Sequence, residues 1–556
     1  MGRRAHPDGQ MHDAPTLCVR ERAGRDEKGR MTHTDTRRHT PRRPVAVWLP
    51  TRAWRGWLPA GMLVLLLVAG TALRLTGLTR QSLWLDEAFS LYVAAHRFAQ
   101  ILAFVAGSDA HPPLYYLVLH VWLLFGPSVL ALRVLSALAS SGSLVAMFAL
   151  SRRLAPRRVA LLASALMASS AFQVWYAQEV RMYALVTLAV LIAVYALVRA
   201  WQQGGVGAWV VFSGALLVAL YLDYSAFYVY SALVIWFVVV GRHRAPIRRP
   251  FVLSSLVLVL GYLPWLPAFW RQLVQIGGLT AWIGTATGTG LTHVLTDLLF
   301  NRTNLSQADV GPSAALTEAV SLVLVAAALW LPRRRPAYPL LALWLGWPCA
   351  LGVAAGLLGH PILIARNIMV VQPALFVLLA MALDDVWRSR RASRLALLRR
   401  APVVLCLGLF VAANLHAQMM SWTSTLKEDW RGAAALVAAH RQSGDLVLFN
   451  AYFTQMPFDY YFLADVRADR AVREPVAERG YQTDESLLFA NLAPPGPGIQ
   501  SGPELAGYAR VWLVLSHVDT RTTGAAVPPW LAQHDHLVRQ QHFVGVTVQL
   551  YQVSAA

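Results

Sequence analysis

Four short stretches of the chain hold side chains that could do chemistry. The first, Ser82-Leu83-Trp84-Leu85-Asp86-Glu87-Ala88-Phe89-Ser90, sets two adjacent carboxylates among apolar and aromatic residues. A carboxylate that is partly desolvated there can act as a base; the bland alternative is that Asp86 and Glu87 cap a helix and face water. The second, Asp109-Ala110-His111-Pro112-Pro113-Leu114-Tyr115-Tyr116, holds His111 at the entry of a Pro-started helix. A histidine so placed contacts a phosphate, binds a metal or caps the helix. In the third, Trp175-Tyr176-Ala177-Gln178-Glu179-Val180-Arg181-Met182-Tyr183, Glu179 and Arg181 stand two apart at the edge of an apolar run, which is expensive unless they pair or are used. The fourth, His360-Pro361-Ile362-Leu363-Ile364-Ala365-Arg366-Asn367, offers a guanidinium whose fork suits phosphate oxygens, against the simpler reading of an arginine snorkelling at a helix end.

The elements that carry these stretches are read from hydropathy. Of 556 residues 56% are hydrophobic and 14% charged, with mean hydropathy +0.45, and the apolar residues fall in long runs. That is the composition of a polytopic membrane protein. Runs able to cross a bilayer centre on 57–78, 128–151, 158–175, 181–201, 206–222, 224–240, 251–268, 313–332, 338–358, 366–386 and 401–416, eleven in all. The segment Pro113–Phe125 is apolar but short, and suits an interfacial helix.

Arginine placement orients the chain. With eleven crossings and a cytoplasmic N-terminus, the clusters Arg152–Arg158, Arg242–Arg249, Arg333–Arg335 and Arg388–Arg400 all face the cytoplasm. A twelfth crossing at Pro113 would put all four outside, against the positive-inside bias. The regions left outside are 79–127, 269–312 and the stretch from about 417 onward, so all four chemical stretches fall on one face. That coincidence favours the functional readings jointly more than each stretch does alone.

The net charge of +20 is accounted for by the loop clusters, not by a nucleic-acid surface. Cys18, Cys349 and Cys406 form neither a disulfide framework nor a metal site. Residues 1–56 read as a disordered basic cytoplasmic extension, 57–416 as the membrane domain, and 417–556 as a small extracytoplasmic α/β domain. The last has a helix at Trp430–His440, strands at Leu446–Phe449, Val511–Ser516 and Val544–Val553, and a Pro/Gly-rich loop at Pro494–Gly502.

Taken in order, these stretches resemble the membrane glycosyltransferases of the protein O-mannosyltransferase type, including the bacterial aminoarabinose transferases of lipid A. The likeness runs over residues 57–460. It rests on the acidic pair Asp86-Glu87, on His111-Pro112-Pro113-Leu114, on Arg133-Val134-Leu135-Ser136-Ala137-Leu138, and on Tyr176 through Tyr183. Two positions depart from the family pattern: Asn367 follows Arg366 where an aromatic residue is common, and Asp223-Tyr224 stands for a His-Tyr pair. The resemblance implies a mainly α, C-type glycosyltransferase fold in the cell (inner) membrane. It implies a polyprenyl-phosphate sugar donor, mannose-like or aminoarabinose-like, and a lipid, glycan or protein acceptor. Asp86 would be the base, with Glu87 and Glu179 in the same site, and His111, Arg181, Tyr183 and Arg366 would meet the substrate. It leaves room for a divalent metal among Asp86, Glu87, His111 and Glu179, although no tight ligand spacing marks one. The rival reading is a lipid or solute transporter or flippase, which predicts ionisable residues near the bilayer midplane and broken helices in paired halves.

Overall fold

A computed structural model of the chain describes residues 57–279, 288–305, 313–388, 394–450, 454–468, 508–517, 531–533 and 535–553. The basic extension at 1–56 with Cys18, and the loop Pro494–Gly502, lie outside the described residues.

The chain enters through α1 (Trp57–Leu75), followed by three short helices, α2 (Leu85–Ala94), α3 (Phe98–Ser108) and α4 (Leu114–Trp122). The apolar segment expected to lie along the interface becomes α4 and a 3-10 turn at Leu123–Phe125. A long α5 (Val129–Leu154) then leads to α6 (Arg157–Ser169), α7 (Ala171–Ala177) and α8 (Tyr183–Gln203). The N-cap hydroxyl of Ser170 starts α7 by accepting from Gln173 N at 3.3 Å, and the chain bends by 60° there. Next come α9 (Val206–Leu222), α10 (Ser225–Trp236), α11 (Ala245–Tyr262), α12 (Leu266–Leu279), α13 (Gly288–Phe300) and α14 (Arg302–Leu305). The helical part closes with α15 (Ala314–Trp330), α16 (Tyr338–Leu357), α17 (Gln372–Arg388) and α18 (Arg394–Thr423).

Seven helical segments are long and apolar enough to cross a membrane, eight if the bent pair α6–α7 is one broken span. The remaining expected spans, on α1, α9 and α10, are helical but shorter, so length and composition alone secure fewer than the eleven expected. Large apolar side chains such as Leu65, Val210, Leu253, Val257 and Leu405 are exposed on these helices, as lipid-facing surfaces require. Inside, α17 is almost wholly buried, from Gln372 to Ala382. The fully buried Arg74 at the end of α1 is satisfied by Ser140 Oγ at 2.8 Å and by the carbonyls of Gly70, Met167 and Ala168 at 2.8, 3.2 and 3.3 Å.

The arginine clusters meet at one end of the bundle. Arg158 and Arg335 both pair with Asp384, the latter at 2.9 Å, and Arg335 also reaches Asp385 at 2.5 Å. Arg388 approaches Asp384 at 3.5 Å. Arg153 donates to Gln202 Oε1 at 3.2 Å and Arg244 to the Trp201 carbonyl at 3.1 Å, joining the ends of α5, α8 and the start of α11. The four chemical stretches sit at the other ends of these helices.

After α18 the chain forms α19 (Trp430–His440), β1 (Leu446–Asn450), α20 (Gln455–Ala468), β2 (Arg510–Leu515), β3 (His536–Phe543) and β4 (Val546–Gln552). The sheet order is β1-β2-β4-β3, with β1 parallel to β2 and the other pairs antiparallel. Strand β3 is the one the sequence did not announce, because its residues are polar and most of its side chains are exposed at the sheet edge. This part belongs to the same compact unit as the helices.

Candidate active site

The site grows from the start of α2. Glu87 is fully buried and gathers five donors: Arg133 Nε at 2.8 Å and Nη2 at 2.6 Å, Val180 N at 3.0 Å, Lys427 Nζ at 3.3 Å and Trp84 N at 3.4 Å. Arg133, from α5, spends its remaining donors on the carbonyls of Leu78, Gln81 and Ser82, at 2.7 to 2.9 Å. One ion pair thus fixes the loop that leads into α2 and the helix itself. Glu87 is a clamp in this arrangement, with no face turned to a substrate.

Asp86, one residue earlier on the helix, points elsewhere. Its side chain is 29% exposed, and its Oδ2 lies 3.0 Å from Arg366 Nη1, contributed by the 3-10 turn Ala365–Val371 that precedes α17. Burial alone would raise its pKa, but Arg366, Arg181, His111 and Lys427 together hold the carboxyl below its ordinary range. Asp86 is therefore an ionised carboxylate facing a guanidinium, at the first turn of a helix whose dipole favours the same charge.

Beside it, His111 is held from both sides. Its Nδ1 lies 3.0 Å from Asp109 Oδ1 and its Nε2 lies 3.3 Å from Arg181 Nη2, so the proton on Nδ1 is donated to Asp109 and Nε2 accepts from Arg181. Arg181 is buried, reaches Ser90 Oγ at 3.2 Å through Nη1, and leaves its Nε without a hydrogen-bond partner among the described residues. Tyr183 is buried against it, with its ring 5.9 Å from the guanidinium carbon and 5.0 Å from the Tyr176 ring, walling the site between α7 and α8.

Glu179 is the third carboxylate. It is fully buried, and its one close charge is Lys427 Nζ, 3.2 Å from Oε1, in a geometry that is an ion pair but not a directed hydrogen bond. Burial pushes this carboxyl above its usual range, even with Lys427 opposing.

The structure therefore brings together all seven residues singled out in the sequence: Asp86, Glu87 and Glu179 with His111, Arg181, Tyr183 and Arg366. As they stand they do not fit a divalent ion, since each acidic or imidazole group already faces a cation or an acid. No three His, Cys, Asp or Glu side chains converge on one point among the described residues. Of the departures noted above, Asp223 ends α9 and accepts from Ser225 N at 2.8 Å, turning the chain into α10, while Asn367 donates to the Ile362 carbonyl at 3.0 Å and shapes the turn around Arg366. Lys427 is the site residue that the sequence reading missed.

With that geometry in view, residues 110–267 match the family model described as dolichyl-phosphate-mannose-protein mannosyltransferase. The whole chain is similar in structure to ArnT from Cupriavidus metallidurans in the apo state, with TM-score 0.56 at 14% identity over 89% of this chain and 98% of that one. It is equally similar to ArnT from the same organism bound to undecaprenyl phosphate, with TM-score 0.55 at 15% identity over 88% and 98%. The fold is that of a C-type membrane glycosyltransferase. No curated protein matches in sequence.

Proposed function

We propose that the chain transfers a monosaccharide from a polyprenyl-phosphate carrier to an acceptor hydroxyl or phosphate on the extracytoplasmic face of a cell membrane. The observation that carries this is the Asp86–Arg366 pair, a half-buried carboxylate 3.0 Å from a guanidinium in a glycosyltransferase fold. Neighbours of this fold include one solved with undecaprenyl phosphate, which supports a lipid-linked donor.

The chemistry asks for two opposite charges. Breaking the bond between the anomeric carbon and the phosphate oxygen leaves positive charge on the sugar and negative charge on the leaving phosphate. Arg366 would receive the phosphate, with Arg181 behind it, displacing its present bond to Asp86. The freed Asp86 carboxylate would take the proton of the acceptor as its oxygen bonds to the anomeric carbon. Attack from the face opposite the phosphate gives inversion. Glu87 takes no proton in this scheme, since its oxygens are committed to Arg133, Val180 and Lys427.

We place the carrier's tail on an apolar groove of the bundle. A groove of about 460 Å³ between α10 and α16 is lined by aromatic and aliphatic side chains, among them Phe227, Tyr228, Val234 and Trp347. We assign eleven crossings, counting the shorter apolar helices α1, α9 and α10, because that number puts the four arginine clusters on one side and the four chemical stretches on the other. That puts the N-terminus in the cytoplasm and the sheet outside.

The test is to reconstitute the purified chain in liposomes with synthetic polyprenyl-phosphate sugars of several kinds, and to follow release of polyprenyl phosphate. Release with one sugar class supports the reading and names the donor. Translocation of the lipid without cleavage would replace it by the transporter reading.

A further inference from the structure

The sequence Lys427-Glu428-Asp429 follows α18 directly and grips the acidic loop at successive points. The side chain of Gln81 is the first anchor: its Nε2 donates to the carbonyls of Ser421 and Ser424 at 2.8 Å each, and its Oε1 accepts from Leu426 N and Lys427 N at 2.9 and 3.2 Å. Asp429 Oδ1 then accepts from Ser82 Oγ at 3.2 Å while it caps α19 through Gly432 N at 3.0 Å. The Glu428 carboxylate lies against the backbone amide of Leu85, the residue before Asp86, and is held by Trp430 Nε1 at 2.6 Å and His517 Nε2 at 3.2 Å. The positive-φ Gly545 of the β3–β4 turn packs on its stem, where an added Cβ would meet Glu428 Cγ at 2.7 Å. Lys427 closes the series, with its ammonium 3.3 Å from Glu87 and 3.2 Å from Glu179, and 5.4 and 5.1 Å from the rings of Trp84 and Trp175. Its side chain is 5% exposed, and both carboxylates are fully buried.

We propose that Lys427 is a positioning residue of the active site, borne in by the C-terminal segment to bind Glu87 and Glu179 to one another and so fix Asp86 in front of Arg366. The charges require it. Arg133 neutralises Glu87, but among the described residues Lys427 is the cation within ion-pairing distance of Glu179, with Arg366 acting from farther off, and an unpaired buried carboxylate is strongly destabilising. The segment after α18 is then a working part of the site, and Glu428 and Asp429 set the height of the loop at which Lys427 enters. This inference rests on the transfer reading for its catalytic consequence, while the charge sharing itself does not.

The experiment is a double-substitution cycle on the full-length chain in detergent and in liposomes, with Lys427→Met, Glu179→Gln and the two combined. Two readouts are taken, the unfolding temperature and the kcat and KM for sugar release from a polyprenyl-phosphate donor. Lys427→Met is expected to lower the unfolding temperature and to cut kcat by about 100-fold, the scale of a misplaced catalytic group, with a smaller change in donor KM. Adding Glu179→Gln removes the stranded charge and is expected to return most of the unfolding temperature and part of kcat. A combined variant no better than Lys427→Met in either readout, or Lys427→Met indistinguishable from the parent, overturns the proposal. If the parent releases no sugar from any donor, the transfer reading fails on its own, and the unfolding cycle still decides whether Lys427 couples Glu87 to Glu179.

Discussion

Asp86 and Glu87 are neighbours on one helix, yet the structure gives them opposite work. Successive residues on a helix point about 100° apart, so one carboxylate can face a cleft while the next enters the core. Which of the two does so depends on how α2 is rotated against α5, and the sequence of α2 alone does not contain that angle. The resemblance already set Asp86 apart from Glu87 as the expected base; that Glu87 is committed to Arg133 and Lys427 was not legible in the sequence. For Asp86 the charge environment has a testable consequence. Its folded-state pKa is depressed, so its ionised form adds stability above the unfolded value of about 3.9, and that stability is lost only as pH falls through the lower folded value. As the proposed base it is ionised throughout the neutral range, and the acid limb of kcat/KM, which reports the free enzyme with the Asp86–Arg366 pair intact, is expected below the ordinary carboxylate range. In Arg366→Gln the leading opposing charge is gone while burial still disfavours the anion, so the acid limb of the residual rate should move to higher pH. A profile that stays in place would show that Arg366 does not set the state of Asp86.

At the scale of elements, the loop from Leu78 to Trp84 is fastened from two directions, by Arg133 of α5 and by the segment following α18. Glu87→Gln keeps the shape of the side chain but removes one charge from a buried pair, leaving Arg133 uncompensated. We expect a loss of about 3–5 kcal/mol in stability, read by denaturant unfolding in detergent, with activity falling because the α2 register loosens. Arg133→Met with Glu87→Gln should cost less than the sum of the two single changes. Elements whose apolar period was strong were readable, and helices cover all eleven segments expected to span. The two that were not readable lack that signal. Strand β3 is a polar edge whose partner, β4, does the burying, and the role of Lys427 arises only when the chain folds back across 340 residues to reach Glu87.

For the whole molecule, the arginine clusters carried more information than any motif. Arg158, Arg335 and Arg388, from three of the four clusters, share Asp384 and Asp385, which tie the ends of α6, α15 and α17 together. The orientation can be measured with single cysteines. Val538, exposed on the sheet edge, and Arg334, exposed after α15, should report opposite sides of the membrane. With Val538→Cys, a membrane-impermeant maleimide should label intact cells; with Arg334→Cys it should label only after permeabilisation. Labelling of both from the same side would mean an even number of crossings between them and would remove the sheet from the face that holds the donor.

The most direct test of the account is sugar transfer from polyprenyl-phosphate donors by the parent chain and by Asp86→Asn, with insertion and unfolding temperature shown to be equal. Loss of a general base should lower kcat by about 10² to 10⁴-fold while leaving donor binding nearly unchanged. Transfer by Asp86→Asn at the parent rate would contradict the assignment of Asp86 as the base and, with it, the catalytic geometry built on the Asp86–Arg366 pair.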